Sequence, residues 1–271
     1  MTTQRDCQPR TICENVPDAI AGLRYQDARP TRPPFCETRC MSPKLPPAKL
    51  PALIFDLDGT LTDSKPGILG CLRSVIEARN LGDCGPLDRF IGPPVEEWAI
   101  ELMPDRTDEE RAELARDYRA CYDRVGWSNN SVFAGITEML TDLERRGFPM
   151  YVCTSKAEHF AIRILEKFEL AQFFVAIYGD KADYASHDKV DLLRRLLSER
   201  SLDRPTAWMV GDRVFDFEAA RANGIRSLAA GWGYGPAEEC ATADAIAATP
   251  AAVCDIVSAS PSPSTEQTAS A

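Results

Sequence analysis

Hydrophobic and polar positions along this chain alternate between two periods. The run ALIF at 52–55, with Pro51 before it and Gly59 after it, has the length and composition of a strand covered on both faces of a parallel sheet. A helix-period segment, GITEMLTDLERRG, stops at Gly147 and is followed by a second strand-like run, PMYVCTS at 149–155. The pattern then continues as helix AEHFAIRILEKFE, strand FFVAIY, helix DKVDLLRRLLSER, strand TAWMVGD, helix FEAARANG, strand IRSLAAG, a short run ADAIA and helix PAAVCDIVS. Strands alternating with helices predict βαβ units, and hence an α/β fold with a doubly wound parallel sheet.

The core is predicted to be split, covering 50–64 and 133–257. Residues 65–132 show only helical patterns (GILGCLRSVIEARN, EEWAIELM and DEERAELARDYRACYDRVG) and no strand, which predicts a small helical cap inserted after the first strand. Residues 1–49 carry no sustained apolar period and hold prolines at 30, 33, 34, 43, 46 and 47, so a disordered segment is expected there. Met41 would make an ordinary start shortly before the first strand. The low-complexity tail 258–271 is expected to be unstructured as well.

Composition narrows the function classes. A formal net charge of −10 weighs against a nucleic-acid binder, which gathers Lys and Arg to displace counterions. No run approaches the roughly 18 apolar residues of a membrane span, and the first residues lack an apolar signal-peptide core, so a cytoplasmic protein is expected. The ten cysteines form no CxxC pair. Cys71, Cys121 and Cys153 fall inside apolar patterns and read as reduced, small hydrophobes. Cys7, Cys13, Cys36 and Cys40 match structural zinc spacing poorly.

The informative feature is where the acids stand. The first strand ends in DLDGTLTDS, and buried like charges cost several kcal/mol each, by rough reckoning, unless paired, protonated or bound to a metal. The second strand ends in Thr154 and Ser155, the fourth in Gly211 and Asp212 with Asp216 four residues on, and Lys189 opens the helix before it. Open α/β sheets bind ligands at the carboxyl edge of their strands. Several carboxylates there suit a hard cation such as Mg2+, while hydroxyls, an ammonium and loop amides around Gly59 and Thr60 suit phosphate oxygens.

These residues carry a resemblance. DLDGT at 56–60, Thr154, Lys189 and GDRVFD at 211–216 resemble the four ordered motifs of the haloacid dehalogenase-like (HAD) superfamily. The FDLDGTLTDS form, the helical insertion and the run from GDR to WGYG resemble its phosphoglycolate phosphatase-like branch, over roughly 51–257. A lone DxDGT is moderately specific; four motifs in order at the right strand ends are strongly so. The resemblance implies a HAD-like Rossmannoid core and an aspartyl-phosphate route, with Asp56 as nucleophile and Asp58 as acid to the leaving oxygen and base to water. Dehalogenases of the superfamily lack the second aspartate, so Asp58 argues for phosphate chemistry. It further implies Mg2+ held by Asp56, the backbone carbonyl of Asp58, Asp212 and Asp216, with Thr154 and Lys189 facing the phosphoryl oxygens.

Blander readings stand beside these. Asp63 reads as a turn or helix cap, and Ser155 as either a cap or a phosphate contact. Val190 stands where family members often carry a proline, which leaves a solvated face as the rival for Lys189. Lys156 and Arg213 read as flanking surface charges, His159 and His187 as solvated residues. In DRFIGPPVEEW, Arg89 and Phe90 read either as leaving-group contacts or as parts of a structural turn; Trp232 and Tyr234 read as rim or packing. A small phosphorylated metabolite is the expected substrate, with 5'-nucleotidase, sugar phosphatase, phosphomutase and a non-catalytic interaction scaffold as alternatives.

Overall fold

The structure, a computed structural model, describes residues 50–181 and 188–259; the expectations for 1–49 and for His187 lie outside these. So does the expected unstructured tail 258–271, except for Ser258 and Ala259, which are helical, against that expectation, because they close the last helix. Strand β1 (Leu53–Phe55) leads into a two-residue strand β2 (Thr62–Asp63) and helix α1 (Lys65–Ala78). Helices α2 (Val95–Leu102) and α3 (Asp108–Arg124) follow, then β3 (Ser131–Val132), α4 (Ile136–Arg146), β4 (Met150–Ala157) and α5 (Glu158–Lys167). The rest runs β5 (Ala176–Asp180), α6 (Lys189–Glu199), β6 (Trp208–Gly211), α7 (Val214–Asn223), β7 (Arg226–Ala230), α8 (Ala237–Cys240), β8 (Ala245–Ala247) and α9 (Pro250–Ala259).

Six strands form one parallel sheet in the order β5-β4-β1-β6-β7-β8. The chain builds one half outward from β1 through β4 to β5, then crosses back to β6 on the other side, and that reversal opens a crevice at the carboxyl ends of β1, β4 and β6. The apolar run predicted as a doubly covered strand explains why β1 is central. Leu53 and Phe55 enter one core with Leu140, Leu143, Ile164 and Val253, whereas Ile54 enters the opposite core with Leu193, Leu196 and Ala219. Each such side chain, fully buried, contributes about 1.5–3 kcal/mol.

The inserted helices bury a third core of their own. Leu72, Ile91, Leu114 and Phe90 pack with Trp98, whose ring meets Tyr118 edge-on at 4.9 Å. Helix α3 starts where its sequence says it should: Thr107 Oγ1 accepts from Glu110 N, and Glu110 Oε2 accepts from Thr107 N, a reciprocal cap.

Three details differ from the sequence pattern. β2 and β3 pair antiparallel, Thr62 with Val132 and Asp63 with Ser131, so a strand does occur at the end of the insertion. Two residues are too few for an alternation signal, and the ribbon joins the chain's exit into the helical insertion to its return. The FFVAIY run is part 3-10 turn (Ala171–Phe173) and part strand, because Phe173 and Phe174 pack under the sheet and Phe174 meets Phe55 at 6.2 Å. The ADAIA run supplies an edge strand, β8. Among the described residues no helix is long and apolar enough to cross a membrane.

Candidate active site

Asp56 follows β1 directly, its N–H donating to Val210 O of β6 at 2.9 Å. The chain then turns back on itself, with Leu61 N and Thr62 N both donating to Leu57 O. Gly59 makes this turn possible: its φ is +86°, and a Cβ there would lie 2.3 Å from Asp212 Oδ2. The tight approach sets Asp56 beside Asp212 and Asp216, and the three carboxylates offer oxygens that all lie within 4.8 Å of one another. All three are buried. Burial first, then Asp216 and Asp56, pushes the Asp212 carboxyl up to about 8; burial and Asp56 push Asp216 up to about 6 against the pull of Lys189.

Lys189 is the cation among these acids. Its Nζ lies 2.7 Å from Asp56 Oδ1 and 2.5 Å from Asp216 Oδ1. Burial works to lower its pKa, but Asp216 and Asp56 outweigh it and hold the ammonium above its ordinary value. The solvated-face reading of Lys189 is thereby overturned, since the side chain is buried.

Asp58 turns away from this cluster toward the helical insertion. Its Oδ2 lies 2.8 Å from Lys156 Nζ, and Lys156 donates in turn to Tyr122 Oη of α3 at 2.7 Å. Asp58 Oδ1 is buried without a hydrogen-bond partner. The surface-charge reading of Lys156 does not hold: only 8% of its side chain is exposed. Arg213 departs from that reading too: it ion-pairs with Glu239 at 3.0 Å and donates through Nη1 to Ile91 O in the insertion. One core cation beside each acidic motif thus reaches the helical layer.

With this geometry in view, the comparisons with known proteins are decisive. Residues 53–230 match the family model described as haloacid dehalogenase-like hydrolase. The chain belongs to this family. It is 40% identical to the tyrosine-protein kinase PtkA of Mycobacterium tuberculosis over 71% of this chain, and it spans 66% of that protein's length. It is 36% identical to a 5'-nucleotidase of Pseudomonas aeruginosa, covering 70% of this chain and 87% of that one. It is 28% identical to a phosphoglycolate phosphatase of Nitrosospira multiformis, over 69% and 86%. A haloacid dehalogenase-like hydrolase structure from Streptococcus pneumoniae superposes with a TM-score of 0.70 at 29% identity, over 76% of this chain and 98% of that one. The fold is that of this family, an α/β core with an inserted helical layer.

The remaining expected residues of this HAD-like hydrolase are placed less uniformly. Thr154 is buried at the end of the hydrophobic part of β4, its Oγ1 accepting from Lys156 N at 3.3 Å. Ser155 is exposed, and α5 is capped at Ala157, so the capping reading of Ser155 does not hold. Thr60 donates to Asp212 Oδ1 at 3.4 Å, and Gly59 N donates to Thr62 O at 2.8 Å; both hold the acidic loop in shape. Asp63 takes the turn reading: it ends β2, one residue before the α1 N-cap Ser64, and its Oδ1 accepts from Lys65 N and from Tyr234 Oη. Tyr234 N donates to Asp212 Oδ2 and Trp232 Nε1 to Thr60 O, so both rim aromatics brace the motif loops. Arg89 is engaged with Glu101 and Cys84 O inside the cap, and Phe90 is buried against Trp98. Sequence reasoning missed Lys156, Tyr122 and Arg213. The signal for two of them was position alone, a cation directly after Ser155 and another directly after Asp212.

Proposed function

We propose that this enzyme hydrolyses a small phosphomonoester in a Mg2+-dependent reaction that passes through an aspartyl-phosphate on Asp56. The carrying observation is Asp56 and Asp58 on one turn after β1, the first among the acid cluster with Lys189 at 2.7 Å, the second held apart by Lys156. In the first step an Asp56 oxygen forms a bond to phosphorus while the ester P–O bond breaks, and Asp58 delivers a proton to the leaving oxygen. In the second, Asp58 takes a proton from water as the water oxygen attacks phosphorus and frees Asp56. Lys189 and the Thr154 hydroxyl offset charge on the phosphoryl oxygens.

The donor set fits the cation. Three buried carboxylates face one ammonium, an excess of two negative charges on oxygen ligands, which is what a hard divalent ion neutralises. Asp56, Asp212 and Asp216 would hold Mg2+, together with the backbone carbonyl of Asp58, and the ion would supply positive charge for the phosphoryl group. With residues 65–132 as a cap resting on the core through Tyr122 and Ile91, the site suits a small metabolite better than a folded protein.

A panel of glycolate phosphate, nucleoside monophosphates and sugar phosphates, assayed for free phosphate with Mg2+ and with chelator, tests the reading. Release that requires Mg2+ and disappears in Asp56→Asn is the expected outcome; wild-type turnover in that variant would remove Asp56 from the mechanism. A second acceptor is favoured by the 40% identity to a protein named as a tyrosine kinase. Phosphate appearing on protein tyrosine, and not in solution, would transfer the assignment to that reading.

A further inference from the structure

The cap holds two thiols in contact. Cys71 is buried on α1 and Cys121 is half-buried on α3, 50 positions apart in the chain, and Cys121 Sγ donates to Cys71 Sγ at 2.7 Å. The contact is built in by the surrounding packing. A Cβ on Gly126 would lie 2.8 Å from Cys71 Sγ and 2.5 Å from the Tyr122 ring, so the turn after α3 closes over Cys71 with no room for a side chain. The other described cysteines differ: Cys153, Cys240 and Cys254 are buried in the α/β core, and Cys84 Sγ donates to Gly82 O in a cap loop.

We propose that Cys71 and Cys121 are a redox modification site, a thiol pair that closes into a reversible disulfide tying α1 to α3. The oxidant is a small-molecule disulfide. The order of events follows from access. Cys121 is the more accessible partner, half-buried where Cys71 is buried, and burial and the neighbouring Cys121 push the Cys71 thiol up to about 12. Cys121, as thiolate, attacks one sulfur of the oxidant and expels the other as a thiolate, which leaves a mixed disulfide. Cys71, losing its proton, then attacks Cys121 Sγ, expels the second small thiolate and completes the bond. Two protein thiols are oxidised and one disulfide is reduced to two thiols. The new bond closes a ring through most of the cap and fixes the turn of α3 that carries Tyr122, the residue touching Lys156 beside Asp58.

The test uses the full chain, reduced and then exposed to oxidised glutathione, alkylated and digested without reductant for mass spectrometry. The expected product is a cross-linked peptide pair containing Cys71 and Cys121 that dithiothreitol separates. In Cys121→Ser, with folding checked by circular dichroism, no cross-link forms; in Cys71→Ser, glutathione stays attached to Cys121. A wild-type chain that stops at a glutathione adduct on Cys121, that cross-links through a different pair, or in which both thiols stay free while Cys84 reacts would overturn the proposal.

Discussion

At the scale of single residues, the division of labour between Asp56 and Asp58 rests on what each touches. Asp56 sits with Lys189 and two other acids, whereas Asp58 faces Lys156 and keeps one oxygen without a partner. Asp58→Asn should therefore separate substrates by leaving group. An alkyl oxygen needs a proton as its P–O bond breaks, while a nitrophenolate leaves with far less help. General acid catalysis is worth about 10²–10⁴-fold, so the variant should lose far more on glycolate phosphate than on nitrophenyl phosphate. Single-turnover measurement of the phosphorylation step isolates this role, because loss of the base in the second step slows both esters alike. Equal losses in the first step would remove Asp58 as the leaving-group acid. The acids were legible in sequence because a carboxylate at the end of a buried strand has few innocent explanations. Lys156 was not, because a lysine after Thr154 and Ser155 reads the same whether its ammonium meets water or Asp58.

At the scale of elements, the long amphipathic helices and buried strands were readable because their periods run over many residues, while β2 and β3 escaped notice for want of length. How elements meet was unreadable in principle, since the α3–β4 junction depends on side chains separated by 34 positions, Tyr122 and Lys156. That junction makes unequal demands on its members. Lys156→Met leaves the Asp58 carboxylate, 16% exposed, without its cation; losing one partner of a fully buried pair costs about 3–5 kcal/mol, and the partial exposure of Asp58 sets that as the upper bound here. Tyr122→Phe removes one hydrogen bond and leaves the ion pair, for a cost of about 1–3 kcal/mol if the freed Lys156 proton finds no other acceptor. Thermal unfolding should rank Lys156→Met well below Tyr122→Phe, and Lys156→Arg should recover part of the difference. Equal midpoints for the two would show that the Lys156–Asp58 pair does not contribute in solution.

At the scale of the whole molecule, the acid cluster makes stability depend on pH and metal together. The ordinary carboxyl value in an unfolded chain is about 3.9, whereas the folded, metal-free protein holds Asp212 at about 8 and Asp216 at about 6. Between roughly pH 4 and 8 the folded state therefore keeps protons that the unfolded chain has released, and stability falls as pH rises. Lys189, raised above its ordinary value, is charged in both states across this window and adds no slope. Mg2+ competes with those same protons for the carboxylate oxygens, so its stabilising effect should grow as pH rises from 5 to 8, by roughly the proton-linked loss it reverses. The measurement is the unfolding midpoint in chelator and in excess Mg2+ at several pH values, read as the difference between wild type and Asp212→Asn. That variant carries no charge at the position, so it should show a flatter metal-free profile and a weakened Mg2+ shift. A Mg2+ shift that is the same at every pH, or a metal-free difference that grows in favour of wild type as pH rises, would mean that these carboxylates are already ionised and paired without the metal.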